Sequence, residues 1–90
     1  MEYENEYVIP TDESYENNWQ VYVKLCEYLK NKFPIFSIKK KCEMGMFGNV
    51  CVDKTCTLGD KEFVISLDAD LLCVYVKSNF DMKEIMASFK

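Results

Sequence analysis

Pro34 separates two hydrophobic periods in this ninety-residue chain. Before it, apolar residues fall at Tyr15, Trp19, Tyr22, Cys26, Leu29 and Phe33, in alternating steps of four and three. Such spacing puts them on one face of an α-helix. Val21, Leu25 and Tyr28 widen the face, while Lys24, Glu27, Lys30 and Asn31 fall largely on the other side. The helix is expected over residues 13–32, within a helical segment 11–33. Thr11 or Ser14 can accept a bond from a free amide of its first turn. Pro34 stops it, because a residue before proline is pushed out of the helical region. The seam is under three heptads long, too short for a coiled coil, so the helix should face a core.

After Pro34 the period becomes two. Phe36, Ile38, Cys42, Met44 and Met46 alternate with Ser37, Lys39, Lys41 and Glu43, the pattern of a half-buried strand. Lys40 interrupts the apolar set, and an inward lysine marks a sheet edge. Gly45 and Gly48-Asn49 supply a turn. A second strand is expected over residues 50–58, with Val50, Val52, Cys56 and Leu58 on one face and Cys51, Asp53, Thr55 and Thr57 on the other. Gly59-Asp60 signals the next turn. The third strand, 63–67, points Phe63, Ile65 and Leu67 inward, and Asp68-Ala69-Asp70 turns the chain again. The fourth, 71–77, is apolar on both faces, which suits a central or doubly covered position. A last helix, 81–90, should begin with a capping box of Asp81 and Glu84 and a staple of Phe80 on Ile85. Its apolar face of Met82, Ile85, Met86 and Phe89 suits the second face of the sheet. Residues 1–10 read as an acidic tail or as an edge strand at Glu6-Tyr7-Val8-Ile9, stopped by Pro10.

The expected fold is a single α+β domain: an amphipathic helix, a four-stranded antiparallel meander over 35–77 and a short C-terminal helix, with an optional strand in front. No apolar run is long enough to span a bilayer, and the acidic start is unlike a signal peptide, so a cytoplasmic location is expected.

Charge is unevenly placed. The chain has 15 acids, 11 lysines, no arginine and no histidine, for a net charge of −4. Six of the acids (Glu2, Glu4, Glu6, Asp12, Glu13, Glu16) lie in the first 18 residues, which hold no base. The remainder holds nine acids and eleven lysines and is close to neutral.

Chemistry-bearing patterns are sparse. Without histidine there is no imidazole base and no histidine-containing metal site. Five cysteines stand at 26, 42, 51, 56 and 73, an odd number without a two-residue knuckle, so zinc is not expected. Cys51 and Cys56 should also point to opposite faces of their strand. A nucleophilic thiol would need a cationic neighbour such as Lys54 beside Cys56; free, mostly buried thiols acting as small hydrophobes fit better. Asp68 and Asp70 have the spacing of a metal-binding pair and the composition of a turn, and the turn is favoured. No glycine opens a helix, so there is no phosphate loop. Neither an enzyme nor a cofactor is expected.

Contact remains. The acidic, tyrosine-bearing head (Glu2, Tyr3, Glu4, Glu6, Tyr7, then Asp12, Glu13 and Glu16) suits docking on a basic protein surface. Lys39 and Lys41 share a strand face and form the other polar candidate. The repeated Tyr-Glu-Asn at residues 3–5 and 15–17 resembles the short phosphotyrosine motif read by adaptor domains, three residues that specify little. The leading expectation is a non-enzymatic protein-interaction domain, an inhibitor or adaptor working through the acidic segment, an exposed sheet edge, or both. All-lysine basicity with many Asn, Ile and Tyr residues suits an AT-rich genome and a phage, viral or mobile-element accessory protein that blocks a nucleic-acid-handling host protein. Two alternatives are a homodimeric scaffold paired through the strand beginning at Phe36, and an RNA or small-ligand module on the outer sheet face around Lys39, Lys41 and Tyr75. Direct nucleic-acid binding is disfavoured by the missing arginine and basic surplus.

Overall fold

A computed structural model describes residues 3–9, 15–33, 37–44, 50–68 and 73–89. The elements run β1 (Asn5–Ile9), α1 (Tyr15–Lys32), β2 (Ser37–Met44), β3 (Val50–Leu58), β4 (Lys61–Asp68), β5 (Cys73–Ser78) and α2 (Lys83–Ala87). The fold is α+β, and the optional first strand is present. The five strands form one sheet in the order β1-β5-β4-β3-β2, with every neighbouring pair antiparallel. The meander is therefore completed by β1, which returns to pair with the last strand and places β5 inside the sheet. β1 and β2 are its two edges. The expected helix cap at Thr11 or Ser14, the Gly45 and Gly48-Asn49 turn and the Leu71-Leu72 start of the fourth strand lie outside the described residues.

Local chemistry accounts for the hairpins. β3 and β4 join through Gly59-Asp60, flanked by the pair Leu58↔Lys61. Gly59 has φ 63°, the left-handed region that suits a tight hairpin turn and that glycine enters without a Cβ clash. Asn79 secures the neighbouring end: its Oδ1 accepts from the Glu62 amide at 2.8 Å, and its Nδ2 donates to the Asp60 carbonyl at 3.1 Å.

The core lies on one face of the sheet, beneath α1. Leu25 and Leu29 from the helix meet Val52, Phe63, Ile65, Leu67, Val74 and Val76 from the strands, and all are buried. The inward face of α1 is centred on Asn18, Tyr22, Leu25 and Leu29, rotated from the expected seam. Trp19 is 39% exposed and Cys26 only half-buried, because they stand on the flank that overhangs β2. Asn18 is fully buried and is not without an interaction partner.

The second helix corrects two expectations. It does not cover the second sheet face. Met82 and Met86 join the same core as α1, the Tyr28 hydroxyl donates to the Ile85 carbonyl at 2.8 Å, and the Tyr28 and Phe89 rings meet at 5.4 Å. Nor does a capping box form. Asp81 Oδ1 accepts from the Lys83 amide, two residues on, at 2.9 Å, and no side-chain bond caps the helix start at Met82. The helix spans five residues rather than the whole of 81–90. Phe80 packs with Phe33 and Phe63 at 5.7 and 6.4 Å between ring centres, so its anchor is an aromatic cluster at the base of α1. β2 is also less buried than its alternation implies: Ile38 is 50% exposed, and Lys40 and Cys42 are exposed.

Tyr7 links the first strand to the second helix. Its hydroxyl accepts from the Met82 amide at 2.8 Å. Replacing Tyr7 with Phe should leave that amide unsatisfied and cost about 1–3 kcal/mol. Urea unfolding of the Tyr7→Phe variant checks this; an unchanged midpoint would show that the bond contributes nothing.

Candidate functional site

β1 explains where the acidic head goes. Its side chains alternate, with Asn5, Tyr7 and Ile9 half-buried and Glu4, Glu6 and Val8 exposed around them. The inward set is held by bonds to the C-terminal segment. Asn5 Nδ2 donates to the Phe80 carbonyl at 3.0 Å, and the Tyr7 hydroxyl lies 3.4 Å from Asp81 Oδ1 besides its bond to Met82. Just before the strand, the Tyr3 hydroxyl donates to Glu62 Oε2 at 2.5 Å. Burial, together with that carboxylate, pushes the Tyr3 pKa up to about 12. The two tyrosines are thus engaged within the fold, and the carboxylates Glu4 and Glu6 remain outside. Glu16 is exposed on the first turn of α1. Glu2, Asp12 and Glu13 lie outside the described residues.

The outer sheet face carries no helix among the described residues. One rung crosses all five strands: Val8 opposite Tyr75, Tyr75 opposite Ser66, Ser66 opposite Asp53, and Asp53 opposite Lys41. The next rung runs Glu6, Lys77, Val64, Thr55, Lys39. Tyr3, Lys41, Tyr75 and Lys77 border a shallow hollow of about 340 Å³ there. The Lys77 ammonium stands 5.4 Å from the centre of the Tyr75 ring. Burial raises the Tyr75 pKa, with the Ser66 hydroxyl opposing. Lys39 and Lys41 are exposed and share this face, as their spacing requires. But Lys41 faces Asp53 and Lys77 faces Glu6 across the strands, so the surface is of mixed sign. A phosphate backbone would meet carboxylates as well as ammonium groups there.

Among the described residues no group of three Cys, Asp or Glu side chains can hold a metal. All five cysteines are free thiols. Cys56 is buried, Cys26, Cys51 and Cys73 are half-buried and Cys42 is exposed, which is more exposure than expected for small core hydrophobes. Burial raises the pKa of Cys26, Cys56 and Cys73, that of Cys56 to about 11, so their thiolates are scarce near neutrality. Lys54 acts against the shift at Cys56 without overcoming it. Cys51 and Cys56 lie on opposite sheet faces, as the two-residue period requires.

The residue that sequence reasoning passed over is Val8. It is 59% exposed, the most open of the large hydrophobics among the described residues. Its signal was present in the alternation of Tyr7, Val8 and Ile9, but the face it occupies depends on the β1–β5 register. No helix among the described residues is long and apolar enough to cross a membrane. Compared with known proteins, the chain matches no family, no curated protein and no solved structure.

Alkylation near neutral pH should modify Cys42 first and Cys56 last, the latter only as fast as the fold opens. Mass spectrometry of partly labelled protein reads the order. Early labelling of Cys56 in folded protein would contradict its burial and raised pKa.

Proposed function

We propose that this chain is a small protein-binding domain, an inhibitor or adaptor that works by contact, and that β1 is its docking edge. The observation that carries the reading is the exposed row of Glu4, just before β1, and Glu6 and Val8 on it, a strand paired on one side only among the described residues. An edge strand presents unpaired amides and carbonyls to an incoming strand, and side-chain pockets and charges choose which strand comes. The edge-strand alternative expected for residues 1–10 supports this reading, since it makes part of the acidic segment a sheet edge.

The opposite edge suits this less. β2 displays Lys39, Lys40 and Lys41 in succession, all exposed, with Lys40 pointing inward, and edge lysines, inward-pointing ones included, blunt strand addition. A two-fold pairing of β2 with itself would also set lysines near lysines, which disfavours the homodimer alternative. For β1, two carboxylates followed by an exposed valine at two-residue spacing call for an extended partner segment with basic residues and then an apolar one at the same spacing. Acids displayed in a row also suit a partner that normally grips nucleic acid, the blocker expected from composition.

Removing residues 1–10 would be a poor test, because Asn5 and Tyr7 hold the C-terminal segment in place. Charge reversal at the exposed positions leaves those bonds intact. Capture from the native cell by the wild-type chain should recover a stoichiometric protein partner. The double variant Glu4→Lys, Glu6→Lys should lose it by roughly tenfold or more if both carboxylates face basic groups, and Lys39→Glu, Lys41→Glu should retain it. Equal capture by wild type and the β1 variant would overturn the reading.

A further inference from the structure

Four large hydrophobics stand well exposed among the described residues, and three of them belong to one groove. Trp19, Val23 and Ile38 are 39%, 40% and 50% exposed. They form the lips of a trough of about 290 Å³ between α1 and the inner face of β2 and β3. Cys26, Cys56 and Ile65 lie deeper in it. The trough exists because α1 sits over β4 and β5 and leaves the inner side of β2 uncovered. Its volume is at the small end of ligand pockets, which run from about 300 to 1,000 Å³. That is enough for one ring or a short acyl chain and too little for a protein helix.

Among the described residues, the charged groups around it are mostly positive. Lys30, Lys40 and Lys54 line the trough with a single carboxylate, Glu27. Lys40 is the inward lysine that breaks the apolar alternation of β2. The Lys54 ammonium stands 5.9 Å from the centre of the Tyr22 ring, which itself stacks on Trp19 with centres 5.9 Å apart. Tyr22 adds an independent mark. The residue is 2% exposed, lines the trough, and its hydroxyl is buried without a hydrogen-bond partner. The nearby Cys26 thiol interacts with it electrostatically and as a weak sulfur hydrogen-bond partner, but not in a geometry that satisfies the hydroxyl. A buried donor left unpaired is costly and rare, so it marks a place where an acceptor is missing.

We propose that the α1–β2 trough binds a small amphipathic carboxylate. The apolar body lies along Trp19, Val23 and Ile38. The carboxylate sits between Lys40 and Lys54, where one of its oxygens also accepts from the Tyr22 hydroxyl. A second copy of the chain is a poorer occupant, since a two-fold contact would bring two sets of lysines together. A cationic ligand would meet three ammonium groups.

Trp19 is the chain's single tryptophan, so its fluorescence reads the trough directly. Octanoate should change its emission saturably. Uncharged 1-octanol should bind roughly fivefold or more weakly, and octylammonium should give no saturable change. Lys40→Gln should weaken octanoate about two- to fivefold and leave 1-octanol unchanged. Tyr22→Phe keeps the ring; it should weaken octanoate while the free protein stays as stable as before or gains. Val23→Glu, at an exposed lip, should abolish octanoate binding with an unchanged circular dichroism spectrum. The proposal is overturned if octanoate gives no saturable response, if 1-octanol binds as well, or if octanoate affinity is indifferent to Lys40→Gln and Tyr22→Phe together.

Discussion

A five-stranded sheet is wider than the helix that has to cover it. Strands about 4.8 Å apart put the outer two about 19 Å from each other, whereas a helix with its side chains is about 10–12 Å across. α1 settles over β4 and β5, where Phe63, Ile65, Leu67, Val74 and Val76 are fully buried. The rest of the inner face must be covered otherwise or stay polar. On the β1 side, Met82, Met86 and Phe80 supply the cover, which is why α2 joins the α1 layer instead of crossing to the other face. On the β2 side nothing among the described residues supplies it. There the inward positions are Ile38, Lys40 and Cys42, all exposed, and a trough remains.

The same geometry ties the two ends of the chain together. β1 pairs with β5, some seventy residues away in sequence (Asn5↔Ser78), and Tyr7 reaches past the strand to the Met82 amide. A segment that looks like a charged tail is thereby an ordered edge. Its polar and aromatic inward side chains are committed to the fold, and its carboxylates are held at fixed positions along a row. For a contact surface this matters energetically, because a pre-ordered strand loses less conformational freedom on docking than a tail that must first be ordered.

Much of this fold was legible in the residues. The change of period at Pro34 separated helix from sheet, the alternation in the second and third expected strands assigned Val52, Cys56, Phe63, Ile65 and Leu67 to one buried face, and Lys40 marked β2 as an edge. The errors share a cause. The spacing puts Trp19 on the core-facing seam and gives Asn18 no place in it, because hydrophobicity is taken as burial. The narrow cover of α1 reverses both, leaving the indole over β2 and drawing the amide under the helix. Asp81 and Glu84 have capping-box spacing, but the chain enters α2 through the Tyr7 bond, and Asp81 turns to the Lys83 amide instead. The candidate site was legible only as composition: acids near the start, lysines at 39–41.

By itself, then, the sequence determined the elements, their faces and the uneven placement of charge, because these follow from local periodicity and local backbone preference. Only the tertiary structure decided that the acidic segment is an ordered edge strand and not a tail, that it pairs with β5, and that α2 shares a layer with α1. Those outcomes depend on pairings between residues far apart in the chain and on the width of one helix over five strands, and no window of sequence contains either quantity.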